Sequence, residues 1–221
     1  MNFILILIEI IVSYFFLIHL YKKYQQNGLY LYSIITFILA VLTSVKNIEI
    51  IGFDIPLGII LVTNLYIASN ILVQKNGVEL IKKMLSLLTI SSTFVISIMI
   101  LFSAVETSEY NIVINNTYSL MFIDKLRVVL ATTGISILSI WLNSTIYYQL
   151  KRDKNKLIIS NLYSLIITCF IDAILFGLLS FMFVIPISRI IITIALIYIL
   201  KLLIGLLGII VAFIAREIKD K

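Results

Sequence analysis

Residues 157–185 read LIISNLYSLIITCFIDAILFGLLSFMFVI, an apolar run carrying one ionisable side chain, Asp172. At 1.5 Å per helical residue it is long enough to cross the roughly 30 Å hydrocarbon core of a bilayer. Further stretches of the same kind run from Phe3 to Tyr21, Leu29 to Val45, Leu57 to Val73, Met84 to Ser103, Leu126 to Leu150 and Ile187 to Ala215, seven in all. The third is the least apolar, interrupted by Thr63, Asn64, Ser69 and Asn70. Lysines and arginines test the count, because they gather in cytoplasmic loops. Lys22 and Lys23, then Lys75, Lys82 and Lys83, then Lys151, Arg152, Lys154 and Lys156, then Arg216, Lys219 and Lys221 fall on one side; Lys46, Lys125, Arg127 and Arg189 fall on the other. Removing one span scrambles this alternation, so seven is preferred to six, with the N-terminus outside and the C-terminus inside.

Composition agrees. Of 221 residues 62% are hydrophobic and 13% charged, against about 25% charged in a soluble domain, so a soluble monomer is excluded. Nothing reads as a linker or repeat, and residues 1–221 are expected to form a single all-α integral membrane domain, a polytopic, multi-pass helix bundle in the cell membrane. The first segment, residues 1–21, lacks a basic start and a small-residue cleavage site and carries Glu9, so it reads as a retained anchor. Residues 105–125 are polar enough for an external loop, and Pro56 and Pro186 each sit where a helix should begin.

One cysteine, Cys169, and one histidine, His19, exclude a disulfide framework, a cysteine-rich metal site and an HExxH zinc site. No GxxxxGK[ST] loop occurs, so no P-loop ATP hydrolysis is expected. No enzyme chemistry, metal or cofactor is read here. The net charge of +6 is spread over short loops, which argues against nucleic acid.

Three charges lie deep in apolar segments: Glu9, Asp172 and Lys201. Such residues are costly in hydrocarbon and by default point to function. Counting from the nearest cytoplasmic cations, Asp172 and Lys201 both come out roughly 23 Å deep and Glu9 roughly 20 Å, so all three could meet in one bundle. Asp172 and Lys201 form either a structural ion pair or the floor of a midplane binding site. Polar company exists: Asn64, Ser69, Asn70 and Gln74 in the third span, Ser139 and Asn143 in the fifth. In the sixth, Asn161, Ser164, Thr168 and Asp172 step by three or four and share a helix face.

These motifs resemble the VUT family of queuosine-precursor transporters from about Ile51 to the C-terminus. NILVQKNG (Asn70–Gly77), followed by Lys82 and Lys83, matches a family signature in which acids stand at the positions of Asn70 and Gln74. RVVLATTGISILSIWLNSTIYYQLK keeps Arg127, Ala131, Ser139, Asn143, Tyr147, Leu150 and Lys151, with Ile140 where Gln is usual. SLIITCFIDAILF keeps Ser164, Thr168, Asp172 and Phe176, and the last helix keeps Tyr198 and Lys201. The resemblance implies a six-helix core with an added N-terminal helix, and import of a 7-deazaguanine base for tRNA queuosine salvage. It gives a substrate site of Asp172, Lys201, Asn70, Asn143, Thr168, Ser139, Gln74 and Ser164. Tyr66, Tyr147 and Trp141 are candidates to stack on the base, and Glu9 and Asp172 to carry protons. The expected partners are a small heterocyclic base and membrane lipid, with a homo-oligomer or a separate energising subunit left open. Two alternatives remain: a substrate-binding subunit of an energy-coupling-factor vitamin importer, or a non-transporting scaffold locked by Asp172 and Lys201.

Overall fold

The computed structural model describes residues 2–105, 125–151 and 157–218. In chain order it contains α1 (Asn2–Thr43), a strand pair β1 (Asn47–Ile50) and β2 (Phe53–Pro56), α2 (Gly58–Asn76), α3 (Glu79–Ala104), α4 (Leu126–Leu150), α5 (Leu157–Phe181) and α6 (Ile187–Glu217). As one straight rod, the 42 residues of α1 would reach about 63 Å, twice the hydrocarbon thickness. The chain instead reverses at Gln25, whose φ of 52° and ψ of −129° are not helical. Residues far apart in sequence then meet: the Ser13 and Tyr32 hydroxyls are 2.7 Å apart. Gly28 lies so close to the opposing backbone that a Cβ on it would stand 2.2 Å from the Leu20 carbonyl oxygen. α1 is therefore a helical hairpin with arms 2–24 and 26–43.

Helices α1, α3, α4, α5 and α6 are each long and apolar enough to cross a bilayer. With α1 crossing twice and the shorter α2 completing the set, the seven expected spans are present, and the protein is an all-α, multi-pass membrane bundle. The span of lowest hydropathy turns out to be the central one. Helix α2 packs against α1, α3, α4 and α6, and residues 58–73 are all buried. Lipid contact is what demands uniform apolarity, and a helix sheathed by protein is free of that demand. Large apolar side chains such as Phe15, Phe94, Phe170 and Ile191 are exposed on the surrounding helices and form the lipid-facing belt.

One local expectation is corrected, and one element is added to those expected. The apolar run 157–185 ceases to be helical at Phe181. Pro186 disfavours helical backbone in the residue before it, and the chain turns ahead of it through Phe183, at φ 67°, before α6 begins directly after the proline. Residues 47–56, between two expected spans, form an antiparallel hairpin pairing Asn47 with Pro56 and Ile50 with Phe53. Its two-residue turn has φ of 53° at Ile51 and 77° at Gly52, the pair of positive values that a type I′ turn requires.

The described cations sort to two ends. Lys83 lies 5.2 Å from the centre of the Tyr30 ring and Lys151 donates to the Gln74 carbonyl, so the α1 turn, the α2–α3 junction and the end of α4 share one end. Lys125, Arg127 and Arg189 lie at the other, beside the strand pair. The expected external loop falls largely on residues 106–124, outside the described residues.

Candidate functional site

Helix α5 closes on α6 at Gly177, where a Cβ would stand 2.2 Å from Ile194 Cγ1. This approach lets the two intramembrane charges meet. Asp172 and Lys201, 1% and 2% exposed, form an ion pair through Asp172 Oδ2. The other carboxylate oxygen, Oδ1, accepts a 2.7 Å hydrogen bond from the Tyr66 hydroxyl on α2. Lys201 Nζ stands 3.5 Å from that hydroxyl and 5.7 Å from the Tyr66 ring centre, within cation–π range. An ammonium has three donors, and Asp172 and Tyr66 supply two acceptors, so one is left for a further partner. Ser139 on α4 is buried close to Tyr66.

Toward the cation-rich end a chain of amides joins three helices. Asn161 Nδ2 donates to the Leu157 carbonyl at 2.9 Å, which leaves its Oδ1 to accept from Asn70 Nδ2 at 2.9 Å. Asn70 Oδ1 in turn accepts from Asn143 Nδ2 at 2.8 Å, which also reaches the Tyr66 carbonyl at 3.2 Å. Each amide fixes the orientation of the next, and the chain ends at Asn143 Oδ1, fully buried and with no donor. Thr168 Oγ1, one helical turn before Asp172, is likewise buried without a partner. A buried polar atom left unpaired costs about 1–3 kcal/mol, so these two atoms mark where a polar ligand would gain most.

The other expected residues divide. Ser164 is buried but donates to the Asn161 carbonyl within its own helix. Gln74 has a partly exposed side chain, and its carbonyl accepts from Lys151, whose ammonium pKa is lowered by burial. Tyr147 is fully buried, with its hydroxyl unpartnered. Glu9 does not join Asp172 and Lys201: it lines a groove of about 430 Å³ between the α1 arms, with Phe16, Tyr32 and Thr36. Depth along a helix says nothing about which way a side chain points, and on this arm Tyr14 is the residue that reaches inward, to the Ile204 carbonyl at 3.0 Å. Trp141 is 47% exposed on the outer side of α4, away from the site.

Sequence reasoning missed two features. The sequence marks Tyr66 only as a stacking ring, yet its hydroxyl donates to the carboxylate. Asn161 falls on the same helix face as Asp172, eleven residues or about three turns away, and the sequence alone gives it no role. A separate relay runs from Asn64 Nδ2 to Ser13 Oγ at 2.9 Å and on to Tyr32, tying the α1 hairpin to α2.

Removing the Tyr66 hydroxyl leaves Asp172 Oδ1 without its donor, so Tyr66→Phe should destabilise the protein by about 1–3 kcal/mol and lower transport. Trp141→Ala, at the lipid surface, should leave transport unchanged. Thermal unfolding and uptake of the two variants side by side check this; equal behaviour would contradict the geometry.

Residues 56–215 match the family model described as "Putative vitamin uptake transporter". No curated protein and no solved structure matches the chain. The matched stretch contains Tyr66, Asn70, Ser139, Asn143, Asn161, Asp172 and Lys201, whereas both arms of α1, with Glu9, precede it.

Proposed function

The chain belongs to the vitamin uptake transporter family, and from that premise we propose that it imports a 7-deazaguanine precursor of queuosine through the site built around Asp172. The observation that carries this reading is a buried carboxylate held by Lys201 and Tyr66, one helical turn from the unpartnered Thr168 hydroxyl. A guanine-like base presents an amine and ring N–H on one edge, which a carboxylate accepts as charge-assisted hydrogen bonds. The Thr168 hydroxyl can donate to a carbonyl or ring nitrogen of the base, and Asn143 Oδ1 can accept from a further N–H. The Asp172 and Lys201 side chains are almost wholly buried, so this conformation is closed on both sides and access requires the helices to part. Lys201 and Tyr66 hold Asp172; incoming substrate takes the carboxylate, and the ammonium moves onto the Tyr66 hydroxyl and ring.

The test uses a bacterial strain that can neither make nor import the precursor, carrying this gene and fed each precursor separately at low concentration. Queuosine should return to tRNA with at least one of them. No recovery with any precursor, with the protein shown to be in the membrane, would overturn the substrate assignment.

A further inference from the structure

Among the described residues four cations lie at the end of the bundle opposite the cation-rich one, and three of them meet in one place. Lys125 immediately precedes α4, Arg127 lies in its first turn and Arg189 in the first turn of α6. All three line a cavity of about 240 Å³ beside the tip of the strand pair. One carboxylate, Asp54, shares the lining. Among the described residues no ion pair engages Lys125, Arg127 or Arg189. Arg127 donates through Nε to the Leu179 carbonyl, which anchors the guanidinium and leaves its terminal nitrogens to act elsewhere. Ser180 also lines the cavity, 2% exposed and with its hydroxyl unpartnered.

Like charges gathered in one recess raise one another's energy, and cations on this side run against the orientation bias of membrane chains. An anion relieves both. Two guanidinium groups can grip oxygens in pairs, an ammonium adds a point charge, and the Ser180 hydroxyl adds a neutral donor. The positive dipole ends of α4 and α6 lie at the same level. The cavity is smaller than the roughly 300–1,000 Å³ typical of drug-sized ligands, which suits an anionic head and not a whole vitamin. We propose that this recess is a binding site for a phosphate group, separate from the Asp172 site and independent of what that site carries. The group could come from a phospholipid of the adjoining leaflet, since lipid-exposed Val184 lines the same recess, or from a soluble phosphate.

The test is thermal unfolding of the purified full-length protein in neutral detergent, titrated in one arm with inorganic phosphate against chloride at equal ionic strength. In the other arm phosphatidylglycerol is added against phosphatidylcholine. A saturable rise in Tm in the first arm identifies soluble phosphate, and a rise confined to the second identifies a lipid headgroup. In either case Arg189→Gln should weaken the apparent affinity about tenfold, Ser180→Ala should weaken it less, and Lys46→Gln, outside the recess, should not change it. Arg189 makes no side-chain hydrogen bond among the described residues, so its loss should spare the fold; Lys125→Gln provides a second variant if it does not. No saturable rise in either arm, or an unchanged affinity in both cation variants, overturns the proposal.

Discussion

Asp172→Ala should cost the protein about 3–5 kcal/mol of stability and abolish uptake. The alanine strands the Lys201 ammonium, 2% exposed, with only the Tyr66 hydroxyl and ring for company, and an uncompensated buried charge is among the most expensive defects a fold can carry. Asp172→Asn preserves shape and still accepts from Tyr66, yet leaves the same ammonium unpaired. The informative variant is the double replacement Asp172→Asn with Lys201→Met. Removing both charges together is often neutral for stability, so Tm should recover most of the loss. Uptake should stay absent, because the carboxylate that receives the substrate is gone. Unfolding in detergent and uptake by whole cells read the two properties separately. Should the double variant regain uptake along with stability, the pair would only lock α5 to α6 and the substrate would be received elsewhere.

The meeting of Asp172 with Lys201 was legible in the sequence because membrane helices turn residue number into depth, at a fixed rise, from a charged loop whose level is known. The same arithmetic misplaced Glu9, since depth leaves the direction of a side chain open. Span count was legible for a related reason: Lys22 and Lys23 mark a loop where the backbone alone runs on as α1. The position of α2 at the centre was hidden, because hydropathy measures lipid exposure and this helix has almost none. The amide chain was half visible. Asn70, Asn143 and Asn161 stood out as polar interruptions, but their mutual bonds depend on how α2, α4 and α5 rotate against one another, which only packing decides. The strand pair gave the weakest signal, since Ile51 is a poor residue for a positive φ and disguises the turn that Gly52 completes.

Gly28→Ala should destabilise the protein by about 1–3 kcal/mol or more, though a glycine-to-alanine change within a helix ordinarily stabilises. The expected Cβ stands 2.2 Å from the Leu20 carbonyl oxygen and 2.6 Å from its carbon. Both are backbone atoms, so no side chain can swing aside and the arms of α1 must part. Parting them strains the Ser13–Tyr32 contact and the Asn64 bond that depends on it, so the damage spreads from the hairpin to α2. Gly134 supplies the contrast: it is exposed on α4 with nothing within 4 Å of a Cβ, and Gly134→Ala should stabilise by about 0.5–1 kcal/mol. Opposite signs for the same chemical change, measured by thermal unfolding, separate close backbone approach from helix propensity. Two changes of the same sign would mean that the arms of α1 are not packed this tightly, and the hairpin would lose its strongest support.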